Sequence, residues 1–252
     1  MSSSRPDPAA VAAWGALLAA DVSALDRAAV AAGVGVLQLM EIAGLQVARA
    51  VWRRLDHRPG RVFVVAGRGN NGGDGLVAAR LLDSWGCEVR CAVVATDQGR
   101  LGETVVHQLR ALTALGVDVE VGAHPDRIRE QARAGDISVD ALLGTGLRGR
   151  PRVADAAAIE ALCEGAPVVA VDVPSGLDAS SGEAEGACVT ASMTVTLTAM
   201  KMGLWLGQGP DRAGEVWVAD IGMPAVTWRL TGLERPTAVT GGELLRVPAI
   251  TP

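Results

Sequence analysis

A layered α/β fold, with a mostly parallel sheet and helices on both of its faces, is what this sequence predicts. Three observations carry that expectation. From residue 61 onward, short β-rich apolar runs alternate with stretches of helical spacing. The runs are apolar on both sides, as strands buried in a parallel sheet are. Two of them also run straight into glycine-rich turns, the junction at which such a sheet passes its chain to a helix.

The elements follow in order. The opening residues are polar and contain proline, so a loose tail is expected over residues 1–9. Two Ala-rich stretches, Ala10–Ala32 and Leu37–Arg54, carry apolar side chains at helical spacing. Strands are expected at Arg61–Ala66, Glu88–Ala95, Val117–Val121, Ile137–Leu143 and Pro167–Asp172. Helices are expected between them near Gly75–Trp85, Leu101–Leu115, Asp126–Ala134 and Val153–Cys163. Two more strands, Met193–Thr198 and Glu215–Ala219, would extend or cap the sheet, with no clear helix between them. After Pro224 the pattern fades. One domain is therefore expected over 10–224, with 225–252 an extension or a linker remnant.

Composition narrows the function. Hydrophobic residues make up 49% of the 252, enough for a sizeable core. A formal net charge of -5 argues against a nucleic-acid partner. No apolar run reaches the roughly 18 residues of a membrane span, and the start MSSSRPDP lacks the basic-then-apolar order of a secretory signal. A cytoplasmic setting is expected. Cys87, Cys91, Cys163 and Cys188 form no C-x-x-C pair, and His57, His107 and His124 are scattered, so a zinc site is not expected. Lys201 is the only lysine and tyrosine is absent. A Walker loop and the Tyr-x-x-x-Lys pair of short-chain dehydrogenases are thereby excluded.

The chemistry gathers in three segments. Strand Arg61–Ala66 leads into GRGNNGGDG, where Gly67, Gly69 and Gly72 spell G-x-G-x-x-G. Such a turn lets backbone amides approach a diphosphate at the next helix N-terminus. Taken alone it is as readily a simple turn, and Asp74 as readily a helix N-cap. The pattern recurs at Gly144, Gly146 and Gly149, after strand Ile137–Leu143. In a sheet of order 3-2-1-4-5, the loops after strands one and four face each other across the ligand crevice. Arg148 and Arg150 add charge suited to phosphates, or a solvated loop. The third segment is DVPSGLD, which puts Asp172 at the mouth of the sheet. Val173 stands where a nucleophile elbow needs glycine, so Ser175 is not read as a nucleophile. Asn71, Asp140 and Ser175 bring hard oxygens together, as a monovalent cation would require. A hydrogen-bond network joining the loops would use the same atoms.

These segments, with LMEIAG at Leu39–Gly44, DALLGTGLRGRP, KMGLWLGQGP and GEVWVADIGMP, resemble the NAD(P)H-hydrate epimerase family, the YjeF amino-terminal domain, over roughly Leu39 to Pro224. Where that family often has Asn or Arg after Met-Glu, this chain has Ile42. The resemblance implies a Rossmann-like three-layer αβα sandwich, commonly dimeric, so a homodimer is expected. It implies hydrated NADH or NADPH as substrate, with inversion of the hydroxyl-bearing carbon beside the ring nitrogen and no redox step or ATP. It implies substrate contacts from Asn70, Asn71, Gly72, Gly73 and Asp74, from Gly144, Thr145, Gly146, Leu147, Arg148, Gly149 and Arg150, and from Asp172. It implies one K⁺ per subunit on Asn71, Asp140 and Ser175. Inversion needs a proton delivered and withdrawn. Asp172 is the first catalytic candidate and Lys201, at a family lysine position, the second. Many members are fused to an ATP- or ADP-dependent dehydratase, the expected partner, and GGELLRVPAITP looks like the start of such a linker. Two readings compete. In an NAD-dependent oxidoreductase, Asp97 would take a ribose hydroxyl. In a non-catalytic binding module of the same fold, the acid/base pair would be idle.

Overall fold

The structure is a computed structural model that describes residues 6–95 and 101–248. Its sheet has eight strands in the order β3-β2-β1-β4-β5-β6-β7-β8. These are β1 Arg61–Ala66, β2 Glu88–Val93, β3 Asp118–Val121, β4 Ile137–Ala141, β5 Val168–Val171, β6 Met193–Leu197, β7 Glu215–Ala219 and β8 Leu244–Arg246. All neighbours pair in parallel except β7 and β8. The predicted 3-2-1-4-5 order is present, and β1 lies against β4.

Helices α1 Pro8–Trp14, α2 Ala19–Ala31, α3 Val36–Arg54, α4 Asn70–Ser84, α5 Glu103–Leu115, α6 Pro125–Ala134 and α7 Val153–Cys163 flank the sheet. One core lies under α2 to α5, and a second lies between the sheet and α6 and α7. The strands β1, β4 and β5 are buried almost throughout, which is why their apolar runs show no alternation. Gly44 explains its place in LMEIAG: a Cβ there would stand 2.4 Å from the Val77 side chain, so only glycine lets α3 lie this close to α4.

Several local expectations change. The stretch Ala10–Ala32 is two helices, broken at Gly15, whose φ of 90° favours glycine. The break frees Leu17 to pair with the chain around Lys201: Leu17 N–H donates to Met200 O at 2.9 Å, and Met202 N–H donates to Leu17 O at 2.9 Å. The segment Asn70–Asp74, read as loop, forms the first turn of α4, with Gly69 as N-cap. Asp74 is the fifth helical residue and therefore no N-cap. Two short helices, α8 Met202–Trp205 and α9 Gly209–Ala213, lie between β6 and β7 where none was evident.

The extension after Pro224 is packed on the domain as far as residue 248. Helix α10, Ala225–Thr231, lies against α2, and β8 closes the sheet edge antiparallel to β7. Asp220, from GEVWVADIGMP, ties it down by accepting from Gly242 N–H at 3.0 Å, and is itself braced by Gly222 N–H at 2.9 Å. Gln46 of α3 adds a bond from Nε2 to Gly242 O at 2.7 Å. None of these contacts has a local sequence signature.

Candidate active site

At the carboxyl ends of β1, β4, β5 and β6 lies a cleft of about 640 Å³, the place where open α/β sheets bind ligands. Of the substrate contacts expected from sequence, Asn70, Asn71, Asp74, Gly144, Thr145, Gly146, Leu147, Arg148, Arg150 and Asp172 line it. Gly72, Gly73 and Gly149 do not line it. The two glycine loops touch: Gly67 N–H donates to Ala141 O at 2.9 Å, and a Cβ on Gly67 would lie 1.9 Å from Leu142 O. Gly72 in turn packs on Gly67, where a Cβ would stand 2.1 Å from the Gly67 carbonyl oxygen. Side chains are excluded here by backbone on both sides.

The opposite wall is built from side chains. Asp172 follows β5 and Thr198 follows β6, and each has a φ of 69° although neither is glycine. Val173 N–H donates to Val171 O at 2.9 Å and Ala199 N–H donates to Leu197 O at 2.8 Å. Each residue is thus the centre of a γ-turn in its strained, positive-φ form, a conformation that costs about 1–3 kcal/mol and clusters at functional sites. The turns throw Asp172 and Thr198 into the cleft.

Lys201 meets Asp172 there. Its Nζ pairs with Asp172 Oδ1 and donates to Leu197 O, while Asp172 Oδ1 also accepts from Leu197 N–H at 3.2 Å. Lys201 is 1% exposed and Asp172 6%. A pair this buried is held in one geometry, and each partner is costly without the other.

Below the loops, Asp140 of β4 is fully buried. Its Oδ2 accepts from Ser175 N–H at 2.8 Å, and its Oδ1 accepts from Ser175 Oγ at 2.6 Å and Leu142 N–H at 3.3 Å. Ser175 Oγ accepts from Leu143 N–H at 2.8 Å. Burial pushes the Asp140 carboxyl up to about 6, and the bonds from Ser175 and Leu142 only partly oppose it. Asn71 lies beside Gly144, and its Nδ2 is buried without a partner. The carboxylate has no positive side chain among its hydrogen-bond partners in the described residues.

Sequence reading missed part of the cleft. Asp26 and Ser23 of α2, Arg68 of the first loop, Arg152, Asp155 and Thr198 also line it. Arg68 lies 3.9 Å from Asp155, whose pKa burial raises against the pull of Arg68 and Arg152. Asp74 is 8% exposed, and its carboxyl makes no hydrogen bond or ion pair among the described residues. Burial first, then the Asp172 and Asp26 carboxylates, hold its pKa well above the ordinary value, against the pull of Lys201. Ile42 is half-buried against the core and does not line the cleft. Arg148 Nη1 folds back on its own loop, donating to Thr145 O and Leu147 O. Asp97, invoked for a ribose hydroxyl, lies outside the described residues. Among the described residues no group of three His, Cys, Asp or Glu side chains could hold a metal, and no helix is long and apolar enough to cross a membrane.

A solved structure shares the fold, and curated proteins resemble the sequence. Yeast ynu0, known from a crystal structure, superposes with a TM-score of 0.77 at 25% identity, over 92% of this chain and 99% of that one. The bifunctional NAD(P)H-hydrate repair enzyme Nnr of Hyperthermus butylicus is 42% identical over 213 residues, 83% of this chain and 38% of that protein. Its counterpart in Methanothermobacter thermautotrophicus is 38% identical over 242 residues, 92% of this chain and 43% of that protein. The chain thus spans well under half the length of these bifunctional relatives. The NAD(P)H-hydrate epimerase of Pirellula staleyi is 38% identical over 191 residues, 75% of this chain and 83% of that protein. The family described as YjeF-related protein N-terminus matches residues 36–203, the span from the start of α3 through both glycine loops and the Asp172–Lys201 pair, and the chain belongs to that family.

Proposed function

We propose that this chain is an isomerase that interconverts the R and S epimers of hydrated NADH and NADPH, without redox chemistry or ATP. The observation that carries the reading is a single cleft in which two touching glycine loops stand opposite a buried carboxylate–lysine pair. The names of the similar proteins support it.

The glycine loops and the N-terminus of α4 suit the diphosphate, because close-packed backbone amides and a helix dipole favour anions. Arg68, Arg148, Arg150 and Arg152 line the same part of the cleft and suit phosphate oxygens. Asp172 and Lys201 are left to the nicotinamide end. Inversion needs the hydroxyl to leave or the ring to open, and either route takes up a proton and returns it. The Asp172–Lys201 pair sets a carboxylate beside an amine in the cleft, and a positioned acid/base contributes about 10²–10⁴-fold in rate.

Asn71, Asp140 and Ser175 suit K⁺, one ion per subunit. The donors are hard oxygens, with Asn71 Oδ1 set beside Gly144, and a buried carboxylate lacking a countercharge is what a monovalent cation would complete. When bound, the ion supplies a fixed positive charge that joins the loops after β1, β4 and β5. Cytoplasmic location, a homodimeric state and work alongside an ATP- or ADP-dependent dehydratase belong to the same proposal; the bifunctional naming of the relatives supports the last of these.

The test follows one purified epimer by chromatography in the presence of protein and K⁺, without nucleotide triphosphate. The epimer ratio should move to equilibrium faster than in buffer. A ratio that changes no faster than in buffer overturns the reading.

A further inference from the structure

The cleft is electrically divided. Arg68, Arg148, Arg150 and Arg152 line it with Asp155 as their one acid, while Asp26, Asp74 and Asp172 interact with one another and with Lys201. Three acidic side chains thus share one ammonium, and that ammonium is already committed to Asp172. Asp26 is the member that neither the glycine loops nor the residues matched to the family account for. It sits on α2 with Val22 and Ser23, on the helix face that lines the cleft. The helix is fixed there by Ala19 N–H donating to Ser180 Oγ at 3.0 Å, by α10 packed against it, and by the pairing of Leu17 with the Lys201 segment. Its carboxylate makes no hydrogen bond or ion pair among the described residues, and it is open to the cleft.

Resting on the epimerase reading, we propose that Asp26 is a further catalytic residue, whose carboxylate faces the nicotinamide ring and stabilises the cation formed when the hydroxyl leaves. The ring nitrogen's lone pair forms the C=N bond as the C–O bond breaks. The bonding pair departs with oxygen, which takes a proton from the Asp172–Lys201 pair and leaves as water. The ring gains one positive charge and the pair loses one. Water then adds to the opposite face of the same carbon, the C=N pair returns to nitrogen, and the proton returns to the Asp172–Lys201 pair. Ring opening would place no such cation in the ring, so a carboxylate-rich pocket selects the dissociative route. An electrostatic partner aimed at charge that develops in the reaction acts on the barrier rather than on ground-state binding. The electrostatics agree: protein crowding first, and the Asp172 carboxylate second, raise the Asp26 pKa, with Lys201 and Arg27 opposing. The end of the cleft is short of positive charge, which a cationic ring supplies.

Oxidised and reduced nicotinamide dinucleotides are direct probes, because one carries a cationic ring and the other a neutral one. The unaltered protein should bind the oxidised form more tightly, by calorimetry or fluorescence. Asp26→Asn should lower kcat at least tenfold with KM within about threefold, and should reduce that binding preference by a similar factor; Asp26→Glu should restore both in part. Equal affinity for the two dinucleotides in the unaltered protein overturns the proposal without any variant. So does an Asp26→Asn protein that keeps kcat within threefold, or keeps the preference. If the unaltered protein fails to equilibrate the epimers, the reaction reading falls instead, and the binding preference still judges what Asp26 does to a cationic ring.

Discussion

The two walls of the cleft solve the same backbone problem in opposite ways. After β1 and β4 the chain turns on glycine, and the turns touch so closely that a Cβ at Gly67 or Gly72 would lie within 2.1 Å of a carbonyl oxygen. After β5 and β6 the chain turns on Asp172 and Thr198, each forced to a φ of 69°. The first wall presents backbone, so side chains are removed. The second must present a carboxylate at a fixed point, so the chain tolerates a strained turn that glycine would relieve. The backbone amides and the Asp172–Lys201 pair thus stand on different halves of one sheet, and the proposed function assigns binding to the first and chemistry to the second.

Asp172→Asn tests the chemical wall. It should lower kcat by about 10²–10⁴-fold and leave KM within a few-fold, measured by epimer interconversion. A raised KM with unchanged kcat would make Asp172 a binding residue and dissolve the contrast. Lys201→Met should destabilise the protein by about 3–5 kcal/mol in urea unfolding, because it leaves a buried carboxylate without its partner. A loss below about 1 kcal/mol would mean that the pair is wetter than its burial indicates.

The backbone wall yields a steric pair. Gly72→Ala should cost about 1–3 kcal/mol, since its Cβ meets backbone that cannot rotate away. Gly69→Ala has open space around it and should leave unfolding within about 0.5 kcal/mol of the parent, yet weaken dinucleotide binding. Equal unfolding for the two variants would show that the wall is not close-packed. Exchange of K⁺ for tetramethylammonium should lower the melting temperature by a few degrees, and Asp140→Ala should abolish that response. A parent indifferent to the exchange removes the cation from the loops.

Most of the sheet was legible because its strands are short apolar runs and its turns are glycines, both local features. The order 3-2-1-4-5 is that of a doubly wound sheet, and from it the meeting of the two glycine loops follows. Asp172 was legible as a carboxylate at a strand end, and Asp140 and Ser175 as neighbouring oxygens. The N-terminal stretch was misread because alanine-rich sequence is helical on either side of Gly15, and only the pairing of Leu17 with the Lys201 segment shows why it breaks. Helix α10 and β8 were unread because their partners, α2 and β7, lie elsewhere in the chain.

By itself the sequence determined where backbone must come close: invariant geometry at a tight turn leaves glycine as its trace, whatever surrounds it. Only the tertiary structure decided which charges share the cleft. Asp26 is an ordinary acidic residue on an alanine-rich helix until α10 and the Leu17 pairing seat that helix beside Asp172 and Lys201. The physical reason is range. A tight turn marks its own residues, whereas the field at a carboxylate in a cleft is set by every charge within a few ångströms, wherever in the chain it arises.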